Sequence, residues 1–285
     1  MPLNLSISEQ LTYCTIRIEC DLTGGRVSTG TGFFFNFAEE GDHHIPAIVT
    51  NKHVVAGASR GRFHITLANE SGEPLNGRHQ GIQVDDFQAR WILHPSPEVD
   101  LCVMPIAPLI TVANQQNIKF FYIAVNRSFI PSQMELSDLT ALEDIVMIGY
   151  PNGIWDETNN MPIIRKGITA THPNIDYNSR PEFMIDAACF PGSSGSPVFL
   201  FNLGGYTTRS GGVQIGSSRI KLLGVLYAGP QYTAEGEIAI LNVPTVQRPV
   251  VLSGIPNNFG IVVKSAKLLD FDSILQDMNN RATGG

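Results

Sequence analysis

An all-β fold closed by a short C-terminal helix is what this sequence predicts, on three observations. Glycine and proline are frequent, 27 and 18 of 285 residues, and they punctuate the chain at short intervals. The apolar residues fall in many short runs, the length of strands rather than of long helices. The first of these runs, residues 11–19, alternates. Tyr13, Thr15, Arg17 and Glu19 share one face, and Cys14, Ile16, Ile18 and Cys20 the other.

In chain order, residues 1–10 read as an arm and residues 11–19 as the first strand, with a Gly24-Gly25 turn after it. Residues 28–35, Ser-Thr-Gly-Thr-Gly-Phe-Phe-Phe, form a strand that its glycines allow to bend. Residues 45–50 are an apolar strand that delivers His53 to a short helical turn over residues 52–58. Residues 63–68 and 82–93 supply further strands, with Asn76-Gly77 as the turn between them. His94-Pro95-Ser96-Pro97 is a rigid corner before Val99-Asp100-Leu101.

Residues 107–138 are mixed in composition and read as a connection, dividing the chain into units of residues 1–125 and 126–285. The second unit opens with an apolar strand at 143–151 that ends in Gly149-Tyr150-Pro151, followed by a loop at 152–160. Strands follow at 162–171, centred on Arg165-Lys166-Gly167-Ile168, and at 183–189, 198–201, 222–229 and 257–263. A long Gly/Ser/Thr loop runs through Ser218. Residues 265–278 make an amphipathic helix from Ala266, Leu268, Leu269, Ile274 and Leu275, starting at a Ser265 cap, and residues 281–285 are a tail.

Net charge of −7 and a pI near 5.5 argue against nucleic acid or an anionic membrane surface as a partner, because phosphate contact needs clustered Lys and Arg. The acidic run Glu39-Glu40-Gly41-Asp42 lacks the spacing of a calcium loop and reads as a solvated turn. No apolar run reaches membrane-spanning length, and no basic stretch precedes an apolar one at the N-terminus. The expectation is a cytoplasmic protein, although a mature exported chain would look the same. Cys14, Cys20, Cys102 and Cys189 have no metal-ligand spacing, so neither metal nor cofactor is expected. Cys102 alternates with apolar residues as a small core residue does. Cys14 and Cys20 are near enough in sequence to pair, but the usage as a whole reads as reducing.

Three segments carry the chemistry. Residues 190–198, Phe-Pro-Gly-Ser-Ser-Gly-Ser-Pro-Val, place Ser194 in a turn of small residues between two apolar segments. A nucleophilic serine needs such exposure, with backbone N–H groups aimed at the forming oxyanion. Pro191 has no N–H, which leaves Gly192 and Ser194 as the expected donors. Taken alone, the stretch reads equally well as a Ser/Gly loop joining two strands. Of seven histidines, His53 is the one that follows an apolar strand ending in Thr. Asp100 reads as lying inside an otherwise apolar strand, where a carboxylate needs a partner; the imidazole of His53 supplies one, and capping a turn after Pro97-Glu98 is the other use.

The order His53, Asp100, Ser194, the Gly-x-Ser-Gly-Ser-Pro turn, the Gly-x-Gly-Phe strand and the Gly-Tyr-Pro turn resemble the trypsin/chymotrypsin-like serine proteases over most of the chain. The likeness is to their single-domain bacterial trypsin-like peptidase branch. The resemblance implies two antiparallel Greek-key β-barrels packed side by side, with His53 and Asp100 in the first and Ser194 in the second. It implies a serine endopeptidase acting on proteins or peptides, with an oxyanion hole from the N–H groups of Gly192 and Ser194. The substrate pocket would be lined by Ala188, Cys189, Leu226, Tyr227 and Ala228. No Asp stands there to attract Lys or Arg, and Leu226 replaces the histidine of glutamyl endopeptidases, so a small or medium apolar P1 residue is expected.

Ser193 stands where digestive relatives carry the Asp that pairs with a newly cut N-terminus, so control would come from loops or a regulatory protein partner. Val54 and Val55 stand where relatives from oxidising compartments carry a cysteine beside the histidine. Two other classes stay open: a latent double-barrel binding module in a larger assembly, and an esterase with the same triad.

Overall fold

The computed structural model of the chain describes residues 5–41, 43–229, 231–234, 253–256 and 258–283. Residues 1–4 of the expected arm, Asp42 of the acidic run, Asn257 of the last expected strand and residues 284–285 of the tail lie outside them, as does the Ala228 side chain. The elements of the first half are α1 (Ile7–Thr12), β1 (Thr15–Leu22), β2 (Val27–Glu40), β3 (His43–Thr50), α2 (Lys52–Val55), β4 (Ala58–Ala68), β5 (Pro74–Asp85), β6 (Ile92–Leu93) and β7 (Cys102–Pro105). The connection holds α3 (Ala107–Gln115), β8 (Phe120–Phe121) and α4 (Gln133–Asp138). The second half contains β9 (Asp144–Gly149), β10 (Ile163–Thr169), β11 (Glu182–Asp186), β12 (Pro197–Asn202), β13 (Gly205–Thr207), β14 (Val213–Ile215), β15 (Arg219–Ala228), β16 (Gln231–Ala234), β17 (Ser253–Pro256), β18 (Phe259–Lys264) and α5 (Asp272–Thr283).

The expected all-β class holds, with a short C-terminal helix. Strands β10-β11-β18-β15-β12-β9 close into a barrel. In the first half the strands run β5-β4-β1-β2-β3-β7-β6, with β8 on β4, and the hydrogen-bonded path stays open between β5 and β6. The run Phe33-Phe34-Phe35 is apolar without alternation because β2 is covered on both faces. Phe34 packs with Ile16, Ile18 and Phe63 inside the first half. Phe33, Phe35 and Phe37 pack with Val146, Ile148, Phe199, Val225 and Val263 of the second. A third cluster, from Ile145, Met147, Phe183, Val198 and Leu226 among others, fills the closed barrel. Each such phenylalanine contributes about 1.5–3 kcal/mol by leaving water, so the shared cluster fixes one half on the other.

Four local expectations are corrected. Residues 7–12 form a helix, because Ser6 and Glu9 make a reciprocal capping box; the strand alternation starts only at Thr15. Asn76-Gly77 lies inside β5, and the chain reverses over residues 69–73. There Asn69 and Glu73 are bonded in both directions: the Asn69 N–H donates to Glu73 O at 2.9 Å and the Glu73 N–H to Asn69 Oδ1 at 2.9 Å. Asp100 precedes β7 rather than lying within a strand. Ser265 does not cap the last helix: residues Ser265–Phe271 are a 3-10 stretch, and the α-helix begins at Asp272. Three residues per turn puts Ser265, Leu268 and Phe271 on one side, and all three are buried.

The loop after β9 docks on the first half through a polar cluster. Arg17 lies over the Trp155 ring at 5.2 Å and donates from Nε to Gly153 O at 3.1 Å. The His79 Nε2–H donates to Glu157 O at 3.0 Å, so neutral His79 presents a bare Nδ1 to the His64 Nδ1–H, 3.2 Å away. Burial first, and His79 second, hold His64 below its ordinary value, with Arg17 and Arg62 acting the same way and Glu19 opposing. A histidine depressed by folding stabilises above the unfolded value of about 6.5 and loses that contribution as pH falls through its lower folded value. Melting temperature is therefore expected to fall more steeply below about pH 6.5 in the wild type than in His64→Asn; equal slopes would contradict this.

All four cysteines are free and buried. Cys14 packs in the cluster shared between the halves and Cys20 in that of the first half, so the two do not pair. Burial pushes the Cys20 thiol up to about 12 and Cys189 to about 11. A disulfide-exchange reagent in mildly alkaline buffer is expected to leave the folded chain unmodified and to titrate four thiols after denaturation.

Candidate active site

Strand β3 ends at Thr50, which is fully buried and donates its hydroxyl to Thr31 O at 2.7 Å. The next residue, Asn51, precedes α2, whose Val54 and Val55 are buried and leave His53 on the open side. The Asn51 amide donates to Asp100 O at 2.7 Å, drawing the segment before β7 against the helix. Asp100 then meets His53 twice. Its Oδ1 accepts the His53 backbone N–H at 3.2 Å and its Oδ2 lies 2.5 Å from Nδ1. A carboxylate only accepts, so Nδ1 carries a proton, and in the neutral ring that leaves Nε2 bare, the tautomer of a general base. Val99 and Leu101 on either side of Asp100 are buried, which fixes its direction.

Ser194 sits on the turn between β11 and β12. Gly192 and Gly195 there have φ of +84° and +87°, and a Cβ on Gly195 would stand 1.8 Å from Thr31 O. Glycine is what these positions permit. The turn is pinned to the first half and to β15: the Thr31 N–H donates to Ser194 O at 2.9 Å, the Thr31 hydroxyl to Gly192 O at 2.9 Å, and the Gly195 N–H to Leu226 O at 2.8 Å. The Ser193 and Ser196 N–H groups are used inside the turn, on Phe190 O and Ser193 O. Among the described residues the N–H groups of Gly192 and Ser194 have no acceptor. The Ser194 hydroxyl donates to Tyr227 O at 3.4 Å and is not hydrogen-bonded to His53.

The expected pocket residues divide. Ala188 is partly exposed beside the turn, and Tyr227 directs its hydroxyl to Glu182 Oε1 at 3.0 Å. Cys189 and Leu226 are 6% and 2% exposed and pack in the cluster that fills the closed barrel. Two residues with no marked signal in the sequence join the site: Thr31, and Arg165 on β10. Arg165 donates from Nη1 to Ala188 O and to Ser193 Oγ, both at 2.7 Å. Among the described residues no group of three or more His, Cys, Asp or Glu is placed to hold a metal ion, and no helix is long and apolar enough to cross a membrane.

Among solved structures the chain resembles Rv3671c of M. tuberculosis H37Rv. Its inactive form, with a serine-to-alanine substitution, matches at TM-score 0.43 and 13% identity, over 93% of this chain and 88% of that one. The active form of that protease matches at TM-score 0.40 and 15% identity, over 90% and 78%. No curated protein sequence matches. The family model described as the trypsin-like peptidase domain matches residues 30–204, a span that holds His53, Asp100 and Ser194, and the chain belongs to that family.

Proposed function

We propose that the chain is a serine endopeptidase in which Ser194, His53 and Asp100 form the catalytic triad. The observation that carries this is the double contact of Asp100 with His53, which fixes the Nδ1–H tautomer, beside a serine turn whose Gly192 and Ser194 N–H groups are unengaged. On this proposal the hydroxyl of Ser194 turns from Tyr227 O toward His53 Nε2 and attacks the scissile carbonyl as Nε2 takes its proton. Catalytic hydrogen bonds often form fully only with substrate in place. The oxyanion is received by the two free N–H groups, His53 returns the proton to the leaving amine, and water hydrolyses the acyl-enzyme. Asp100 holds the ring and stabilises the imidazolium.

A fluorophosphonate probe is expected to label the wild type and neither Ser194→Ala nor His53→Ala. Loss of either group is expected to lower peptide hydrolysis by on the order of 10⁶ and Asp100→Asn by about 10⁴. Turnover of activated esters without peptide cleavage would favour an esterase, and a wild type that neither labels nor cleaves would favour a binding module.

The proposed P1 preference is for a small or medium apolar side chain, since neither a carboxylate nor a histidine stands among Ala188, Cys189, Leu226, Tyr227 and Ala228. One methylene in such a pocket discriminates by roughly 1–3 kcal/mol, so a graded profile is expected from a peptide library. A profile dominated by Lys, Arg or Glu would contradict it.

A further inference from the structure

Beneath the serine turn lies a cation that the proposed chemistry leaves unused. On β10, Ile164 and Ile168 are exposed, and Arg165 between them points the other way, into the end of the closed barrel. Its Nη1 bridges Ala188 O and Ser193 Oγ, while Nε and Nη2 are buried with no hydrogen-bond partner among the described residues. Among the described residues Arg165 has no carboxylate partner. Ser193 Oγ also accepts the Phe190 N–H at 3.3 Å, and Ser193 is 1% exposed. A buried guanidinium with neutral partners and idle donors is costly, and a methionine would fill the same space without that cost.

What Arg165 contributes is geometry. Ala188 lies just before the turn and Ser193 within it. Ser193 Oγ, held by Arg165, accepts the Phe190 N–H while the Ser193 N–H donates to Phe190 O, so the segment 190–193 that carries the Gly192 N–H and the peptide after Ser193 that carries the Ser194 N–H are held together. The planar guanidinium holds its donors in a rigid fork, which an ammonium does not. We propose that Arg165 is a positioning residue: acting through Ser193 and the Ala188 carbonyl, it holds the Gly192 and Ser194 N–H groups toward the site of the oxyanion. This is an internal cation built into β10, and it requires no processed N-terminus. The proposal rests on the serine endopeptidase reading of the site.

The test compares wild type with Arg165→Met, Arg165→Lys and Ser193→Ala on a cleaved peptide, with rates normalised to folded protein. Arg165→Met is expected to lower kcat by roughly 10–100-fold, less than the loss of an oxyanion donor itself, with KM changed by no more than about threefold. Arg165→Lys is expected to recover part of that loss. Ser193→Ala is expected to act in the same direction, and the double variant to be less than multiplicative, since both act through one network.

A second readout does not require turnover: in a Ser194→Ala background, Arg165→Met is expected to shift or broaden the amide resonances of Gly192 and position 194. An unchanged kcat, or a raised KM with kcat intact, overturns the proposal, as do unmoved amides. A wild type that neither cleaves peptide nor labels with fluorophosphonate defeats the serine endopeptidase reading instead, and the amides then decide on Arg165 alone.

Discussion

One buried threonine joins the halves of the chain at the serine turn. Thr31 is fully buried on β2 and uses every polar atom it has. Its N–H donates to Ser194 O at 2.9 Å, its hydroxyl donates to Gly192 O at 2.9 Å and accepts the Tyr150 N–H at 3.0 Å, and its carbonyl accepts the Thr50 hydroxyl at 2.7 Å. Thr50 ends the strand that delivers His53, and Tyr150 directly follows β9, the strand that opens the second half. Each such bond nets only about 0.5–1.5 kcal/mol, but a buried group left without its partner costs about 1–3 kcal/mol, so the set is held together by what its loss would expose.

Apolar packing supplies the stiffness behind this joint. The Phe33, Phe35 and Phe37 side of β2 enters a core built from both halves, so the strand that carries Thr31 cannot shift without moving both. The His53–Asp100 pair is different in kind. The side chains are 48% and 22% exposed, and an ion pair in such a setting adds little to stability. Its geometry is enforced from elsewhere, by the buried Val54 and Val55 under the helix and by the Asn51 amide on the Asp100 carbonyl. The proposed catalytic pair is thus carried by the fold and contributes little to it.

What was legible in the sequence follows from how local each determinant is. His53 announces itself by the apolar strand ending in Thr50, Ser194 by the glycines around it, and Asp100 by the buried residues flanking it. All three signals lie within a few residues of the side chain concerned. Thr31 was legible only as part of a glycine-containing strand and Arg165 only as the middle of another, because the serine-turn atoms they bind lie 161 residues from Thr31 and 28 from Arg165. The pocket was harder still. Leu226 enters the cluster that fills the closed barrel, whereas Val225 and Tyr227 on either side of it face the cluster shared between the halves. Both faces of this strand segment are covered and apolar, so the sequence does not mark which side chains turn inward. The turn placed at Asn76-Gly77 failed for a related reason: strand pairing of β5 with β4 prevailed over a strong local turn dipeptide, and the side-chain bond of Asn69 set the reversal a few residues earlier.

Two arginines of the closed barrel show why Arg165 stands apart. Arg219 on β15 lies against the Glu143 carboxylate at 2.8 Å and over the Tyr206 ring at 3.9 Å, so its charge is neutralised where it is buried. Arg165 has only a carbonyl and a hydroxyl, and burial pushes its pKa down to about 10. Folding selects arrangements like that of Arg219 for stability. An arrangement like that of Arg165 persists only where the surrounding structure enforces it, and it coincides here with the two positive-φ glycines and the unpaired Ser196 hydroxyl of the same turn. An uncompensated cation, two positive-φ glycines and idle N–H donors thus meet at one turn, and on the proposed reading that is the turn that receives a developing negative charge, where such donors become useful.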